Sequence, residues 1–159
     1  MKKILVPIDF SDVTDLVVEN AKSFAKALNA EVKIIHVVPV LQEVNLQAAR
    51  GVGGVFVEPL NYGTIRDGIA GELKNEHKTL HDIKDQLTRE NLKVKTSFIE
   101  GKATEVILSQ IKEYAPDMII IGSHGHGYLK KVLLGSIAMF VLKHAQCPVI
   151  IVPRHEHKK

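Results

Sequence analysis

Residues 117–127 read DMIIIGSHGHG: an apolar run that stops at Gly122, with Gly125 and Gly127 following within five residues. A continuous apolar run bounded by turn signals predicts a strand covered on both faces. No other run in the chain is as apolar, so this strand is expected at the centre of a sheet. Upstream, KATEVILSQIKEYA (102–115) sets Ala103, Val106, Ile107, Ile111 and Tyr114 at helical spacing, and Pro116 stops it. Downstream, a helix is expected from about Leu129 to His144, burying Leu129, Val132, Leu133, Ile137, Phe140 and Val141. CPVIIVP (147–153) then reads as a last strand.

The first half of the chain alternates in the same way. KKILVPID (2–9) is a short apolar strand ending in Asp9, and Ser11 and Asp12 are N-cap candidates for the helix that follows. Val13, Leu16, Val17, Ala21, Phe24, Ala25 and Leu28 give that helix a core-facing stripe. AEVKIIHVVP (30–39) is the second strand, and the intervening helix makes the two strands parallel neighbours joined by a right-handed crossover. Residues 40–66 break periodicity with ARGVGGVF and EPLNYG, a long loop of the functional or mobile kind. Ile69, Leu73, Leu80, Ile83 and Leu87 mark a charged amphipathic helix over 67–90, and LKVKTSFIEG (92–101) reads as a half-exposed strand. This alternation predicts one doubly wound α/β domain over residues 1–153, with 154–159 as a solvated tail.

A chain of 159 residues has room for one domain with a sizeable core, and 45% hydrophobic with 25% charged residues is ordinary globular composition. The net charge of +3 comes from scattered lysines, so charge gives no indication of nucleic acid. Cys147 is the only cysteine, which excludes an internal disulfide and fits a reducing compartment. Pro7 and Asp9 break the first apolar run too early for a secretory signal, and no segment reaches the ~20 apolar residues of a membrane helix. A cytoplasmic protein without a membrane partner is expected.

In a doubly wound sheet, ligands bind beyond the carboxyl ends of the strands, where the strand order reverses. Gly122 to Gly127 lies at that end of its strand. Glycines there permit positive φ and let backbone N–H groups approach an anion, and the helix that follows adds partial positive charge at its N-terminus. Gly135 and Ser136 offer a further N–H and a hydroxyl. Phosphate is the ligand chemistry this suggests, although a plain tight turn would use the same glycines. There is no G-x-x-x-x-G-K-[ST], and no G-x-G-x-x-G after the first strand. A P-loop and a Rossmann dinucleotide site are both excluded, and hydride chemistry goes with them.

The spacing is more specific than the glycines. Gly122, two residues, Gly125, nine residues, Gly135 and Ser136 resemble the ATP-binding signature of the universal stress protein family, G-x2-G-x9-G-[ST]. ILVPIDFSD, IIHVV and CPVIIVP resemble that family's first, second and last strands, so the likeness covers nearly the whole chain. The resemblance implies a five-stranded parallel sheet in order 3-2-1-4-5 with helices on both faces, of the adenine nucleotide alpha hydrolase-like kind. It further implies that Pro7 and Ile8 line a nucleoside pocket, that Asp9 accepts from ribose hydroxyls, and that Val37 offers backbone groups to adenine. Gly122, His124, Gly125, His126, Gly127, Gly135, Ser136 and Ile137 would wrap the ribose and phosphates of ATP, ADP or AMP, with Mg as companion ion. The resemblance also implies a homodimer paired through residues 148–153, an apolar strand expected at a sheet edge.

The chain departs from that pattern at Ala138, where many ATP-binding members carry Ser or Thr. One hydroxyl donor to the phosphates is missing, so AMP and ADP are expected to compete well with ATP. His124 and His126 flank Gly125 without an evident third ligand for a metal, and a hydrogen bond to phosphate suits them better. His77 and His81 fit a solvated helix face, Lys130 and Lys131 an exposed helix start, and Cys147 a buried inert thiol. A nucleotide-dependent regulatory module of the stress response is the expected function. A slow ATPase or phosphotransferase, and a dimeric scaffold with no use for nucleotide, are the alternatives; efficient catalysis is not expected.

Overall fold

The computed structural model describes residues 1–40, 62–126 and 134–154, the side chains of 62–67 excepted. The elements follow the order β1 (Lys3–Ile8), α1 (Thr14–Leu28), β2 (Glu31–Val38), α2 (Tyr62–Arg89), β3 (Lys93–Glu100), α3 (Ala103–Tyr114), β4 (Met118–Gly122), α4 (Ser136–His144) and β5 (Val149–Val152). The strands form one sheet in the order β3-β2-β1-β4-β5, with every neighbouring pair parallel. The doubly wound fold expected from the sequence is the one observed. β1 is the central strand, and the apolar 118–122 strand lies beside it, flanked by β5.

Strand alternation divides the core into two layers. Ile4, Val6, Val32, Ile34 and Ile120 face α1 and α2, packing on Val17, Ala21, Leu80 and Leu87. Leu5, Ile35, Ile119 and Ile121 face α3 and α4, packing on Ile107, Ile111, Ala138 and Val141. Each fully buried Ile, Leu or Val among them contributes about 1.5–3 kcal/mol through removal from water. β3 is an edge strand with no fully buried residue, which accounts for its mixed sequence.

Several boundaries differ from the sequence reading. α2 begins at Tyr62, inside the segment expected to be loop, while residues 41–61 lie outside the described residues. α4 begins at Ser136 rather than near Leu129, because Gly135 holds extended backbone as its N-cap; residues 127–133 lie outside the described residues. Neither Ser11 nor Asp12 caps α1, whose N-cap is Val13 with no side-chain bond. Leu28 is 43% exposed at the helix end instead of in the core. Phe140 is half-buried and stacks on His144, with ring centroids 4.1 Å apart. Arg154, expected to open the solvated tail, is held by a bond from its N–H to Ser123 Oγ at 3.2 Å and by an ion pair with Asp12.

Asp117 ties the starts of β1 and β4 together. Its carboxylate accepts from Lys2 Nζ at 2.9 Å and from the Lys3 N–H at 2.8 Å. The Lys2 bond first, then the Lys3 amide, hold this carboxyl below its usual range. A depressed carboxyl stabilises the fold above its unfolded value of about 3.9, and that stabilisation is lost as pH falls through the folded value. Asp117→Asn is therefore expected to lower the thermal midpoint near neutral pH, with the difference from wild type shrinking below about pH 4. Thermal melts of both proteins across that range check this, and a difference independent of pH would contradict it.

Candidate functional site

The site opens where β1 and β4 part. β1 pairs with β2 as far as Ile8↔His36, but with β4 only at Ile4↔Met118 and Leu5↔Ile119. Pro7 has no N–H with which to carry a ladder onward, so the sheet splits at its carboxyl end. The resulting cleft of about 270 Å³ lies between α1 and α4. It is lined by Pro7, Ile8, Asp9, Val37, Gly122, His124, Gly125, His126, Gly135, Ser136 and Ile137, all of them residues expected from the resemblance. Gly127, the remaining expected residue, lies outside the described residues.

The glycines are needed for close approach rather than for positive φ. Among the described residues, the only glycine with positive φ is Gly101, outside the cleft. A Cβ on Gly122 would come within 2.6 Å of Val13 Cγ1, because α1 crosses the end of β4 there. A Cβ on Gly135 would lie 3.1 Å from the Ser123 carbonyl oxygen and 3.4 Å from His124 Cα. On Gly125 it would collide with Asp9 Oδ2. The glycine spacing thus brings α1, the β4 loop and the start of α4 to one point.

Asp9 divides its two carboxylate oxygens. Oδ1 accepts from the Ser11 N–H at 3.1 Å and from Ser11 Oγ at 2.6 Å, fixing the turn into α1. Oδ2 packs directly against Gly125 at the edge of the cleft. Phe10 takes a positive φ of 57° in the same turn. His126 Nε2 lies 2.6 Å from the Asp9 carbonyl and donates to it, joining the β1 and β4 loops. Ser123 Oγ lies 3.0 Å from His124 Nδ1.

The amides differ from the simplest expectation. Gly135 donates its N–H to the Ser123 carbonyl at 2.7 Å, so that group is already used. α4 nevertheless starts without a side-chain cap, and its first internal bond runs from Met139 N–H to the Gly135 carbonyl at 2.9 Å. The N–H groups of Ser136, Ile137 and Ala138 are left at the cleft, where a helix N-terminus favours an anion. At the opposite end, the Val38 carbonyl accepts from Gly101 on the β3 side at 2.9 Å. Alternation along the strand turns the Val37 carbonyl the other way, toward the side where β1 has already ended.

Sequence reading missed further lining of the cleft, which includes Val13 before α1, Thr14 and Val17 of α1, Ile107 of α3, Ile121 and Ser123. In the sequence, Val13, Val17 and Ile107 read only as core-facing stripe residues, and Thr14 and Ser123 have no assigned role. The Thr14 hydroxyl is buried with no partner among the described residues. Among the described residues there is no group of three or more His, Cys, Asp or Glu that could hold a metal ion. Burial, then the Asp117 charge, pushes the half-buried Cys147 thiol up, which keeps it protonated and unreactive near neutral pH. No described helix is long and apolar enough to cross a membrane.

Comparison with known proteins agrees with this architecture. The profile of the universal stress protein family matches residues 1–153. Universal stress protein MJ0577 of Methanocaldococcus jannaschii is 32% identical over 158 residues, covering 96% of this chain and 95% of that protein. The solved structure of MJ0577 superposes with a TM-score of 0.73 at 29% identity, over 98% of this chain and 97% of that one. Two more distant structures share the fold at 18% identity. One is a universal stress protein in complex with cAMP, with a TM-score of 0.64 over 97% of this chain and 98% of the other. The second is an Arabidopsis thaliana family protein with AMP bound, with a TM-score of 0.57 over 99% of this chain and 95% of its own. The chain belongs to the universal stress protein family.

Proposed function

We propose that the cleft binds an adenine nucleotide, ATP, ADP or AMP, and that the protein is a nucleotide-dependent regulatory module of the stress response. One observation carries this reading: the uncapped N-terminus of α4 and the free oxygen of Asp9 converge on a single cleft at the switch point of the sheet. Phosphates would lie on the N–H groups of Ser136 and Ile137, with Ser136 Oγ and His124 beside them. Ribose hydroxyls would donate to Asp9 Oδ2, and adenine would reach the Val37 carbonyl with its amino group. AMP and cAMP in distant relatives of the same fold support the ligand class.

Mg²⁺ would arrive with the phosphates of ATP or ADP, since phosphate oxygens and water satisfy most of its octahedral shell. Ala138 stands buried at the third position of α4 and offers no hydroxyl, so selectivity for the longer nucleotides is weak. Isothermal titration with ATP-Mg, ADP and AMP tests the reading. Saturable binding of at least one nucleotide is expected, and no saturation at about millimolar concentration would overturn it. A dimer paired along the edge strand β5 belongs to the same reading. Light scattering on the titrated samples checks it, and a monomer mass throughout would remove it.

A further inference from the structure

Thr14 lines the cleft from the first turn of α1, yet it is only 6% exposed, and its Oγ1 has no hydrogen-bond partner among the described residues. Val13 and Val17, which line the cleft beside it, are apolar. For packing alone a valine would serve at this position, without the uncompensated desolvation of a buried hydroxyl. Asp9 and Thr14 are the two ends of one hydrogen-bonded turn. Ser11 gives its N–H and its hydroxyl to Asp9 Oδ1 at 3.1 Å and 2.6 Å, and its carbonyl accepts the Thr14 N–H at 2.9 Å. Both ends of this turn line the cleft. The other hydroxyls of the lining are placed differently: Ser123 Oγ accepts from the Arg154 N–H and lies 3.0 Å from His124 Nδ1, and Ser136 opens α4.

We propose that Thr14 is a specificity residue that reads the sugar of the nucleotide, donating its hydroxyl proton to the same ribose oxygen that donates to Asp9 Oδ2. The proposal rests on the nucleotide reading above. A ribose hydroxyl is donor and acceptor at once, whereas an ionised carboxylate only accepts. Asp9 therefore engages the proton and leaves the lone pairs of the ribose oxygen for a donor, which Thr14 supplies. A helical threonine has two comfortable χ1 wells, so its hydroxyl turns to the ligand while the backbone of α1 stays in place. A sugar with only hydrogen at that carbon leaves the Asp9 oxygen and the Thr14 hydroxyl both unpaired. The pair thus sets ribonucleotide above deoxyribonucleotide.

Thr14→Val removes the hydroxyl at nearly constant shape, and Thr14→Ser keeps it. Thermal melts without ligand are expected to place T14V level with wild type or above it, since the free protein gives the hydroxyl no bond. Calorimetry with AMP, 2′-deoxy-AMP and 3′-deoxy-AMP then reads the contact. T14V is expected to bind AMP about five- to tenfold more weakly than wild type, and T14S to recover most of that loss. With one of the two deoxynucleotides, the one lacking the shared hydroxyl, the difference between T14V and wild type is expected to vanish. A lower melting point in T14V would show the hydroxyl bonded within the protein. Unchanged AMP affinity, an equal loss in T14S, or the same loss with all three nucleotides would leave Thr14 a packing residue only. Each of these results overturns the sugar contact and leaves the nucleotide reading of the cleft standing. If wild type binds none of the three nucleotides, the two fall together.

Discussion

Replacing Gly125 by valine is expected to lower adenine-nucleotide affinity by about ten- to a hundredfold while leaving the fold intact. A Cβ at this position meets Asp9 Oδ2, the oxygen assigned to the ribose hydroxyls. The carboxylate has little freedom to move aside, because its other oxygen holds both the N–H and the hydroxyl of Ser11. Swinging it away removes a hydrogen bond to a charged group, worth about 1.5–3 kcal/mol. Gly125 lies outside the regular elements and packs on no core side chain, so little of the cost falls on stability. Calorimetric titration with far-UV circular dichroism as the folding control reads the effect. Undiminished affinity in G125V would mean that Asp9 does not touch the ligand.

The largest effect on stability is expected in the layer beneath the site. Ile120 of β4 is fully buried among the residues that pack against α1, including Val13 and Val17. Ile120→Ala is expected to cost about 2–5 kcal/mol, the transfer term plus a cavity that the sheet cannot collapse. Val13 and Val17 also line the cleft, and Val13 presses on Gly122. Loss of Ile120 is therefore expected to loosen the site as well as the core. Urea denaturation at equilibrium gives the value, and a loss below about 1 kcal/mol would show that α1 resettles onto β4.

β1, β2, β4 and β5 were legible as runs rich in apolar residues, and the edge strand β3 as apolar residues interrupted by polar ones. Unbroken apolar runs such as Met118–Ile121 have only one comfortable place in a sheet of this kind, an interior position covered on both faces. Helix starts were less legible. Gly135 reads equally well inside a glycine-rich helix entry or as its boundary, and only the contact with Ser123 and His124 makes it the boundary. Ser11 looked like a cap because its hydroxyl has the right chemistry; the fold gives that hydroxyl to Asp9 instead.

The spacing of Gly122, Gly125 and Gly135 pointed to chain segments that the fold brings to one cleft. The reason for the glycines was not legible. Sequence suggests bare amides and positive φ, whereas the structure uses them to let Val13, Asp9 and Ser123 come close. The lining residues Thr14 and Val17 carried no signal of their own, because a residue facing a cleft from a helix looks like any other core residue.

The central claim is that the start of α4 and Asp9 form the two ends of one nucleotide site. A crystal structure of the protein with ATP or AMP tests it most directly. Phosphate oxygens are expected within about 3 Å of the Ser136 and Ile137 amides, with a ribose hydroxyl on Asp9 Oδ2. A nucleotide bound elsewhere, or a saturated crystal whose cleft holds only water, would contradict it.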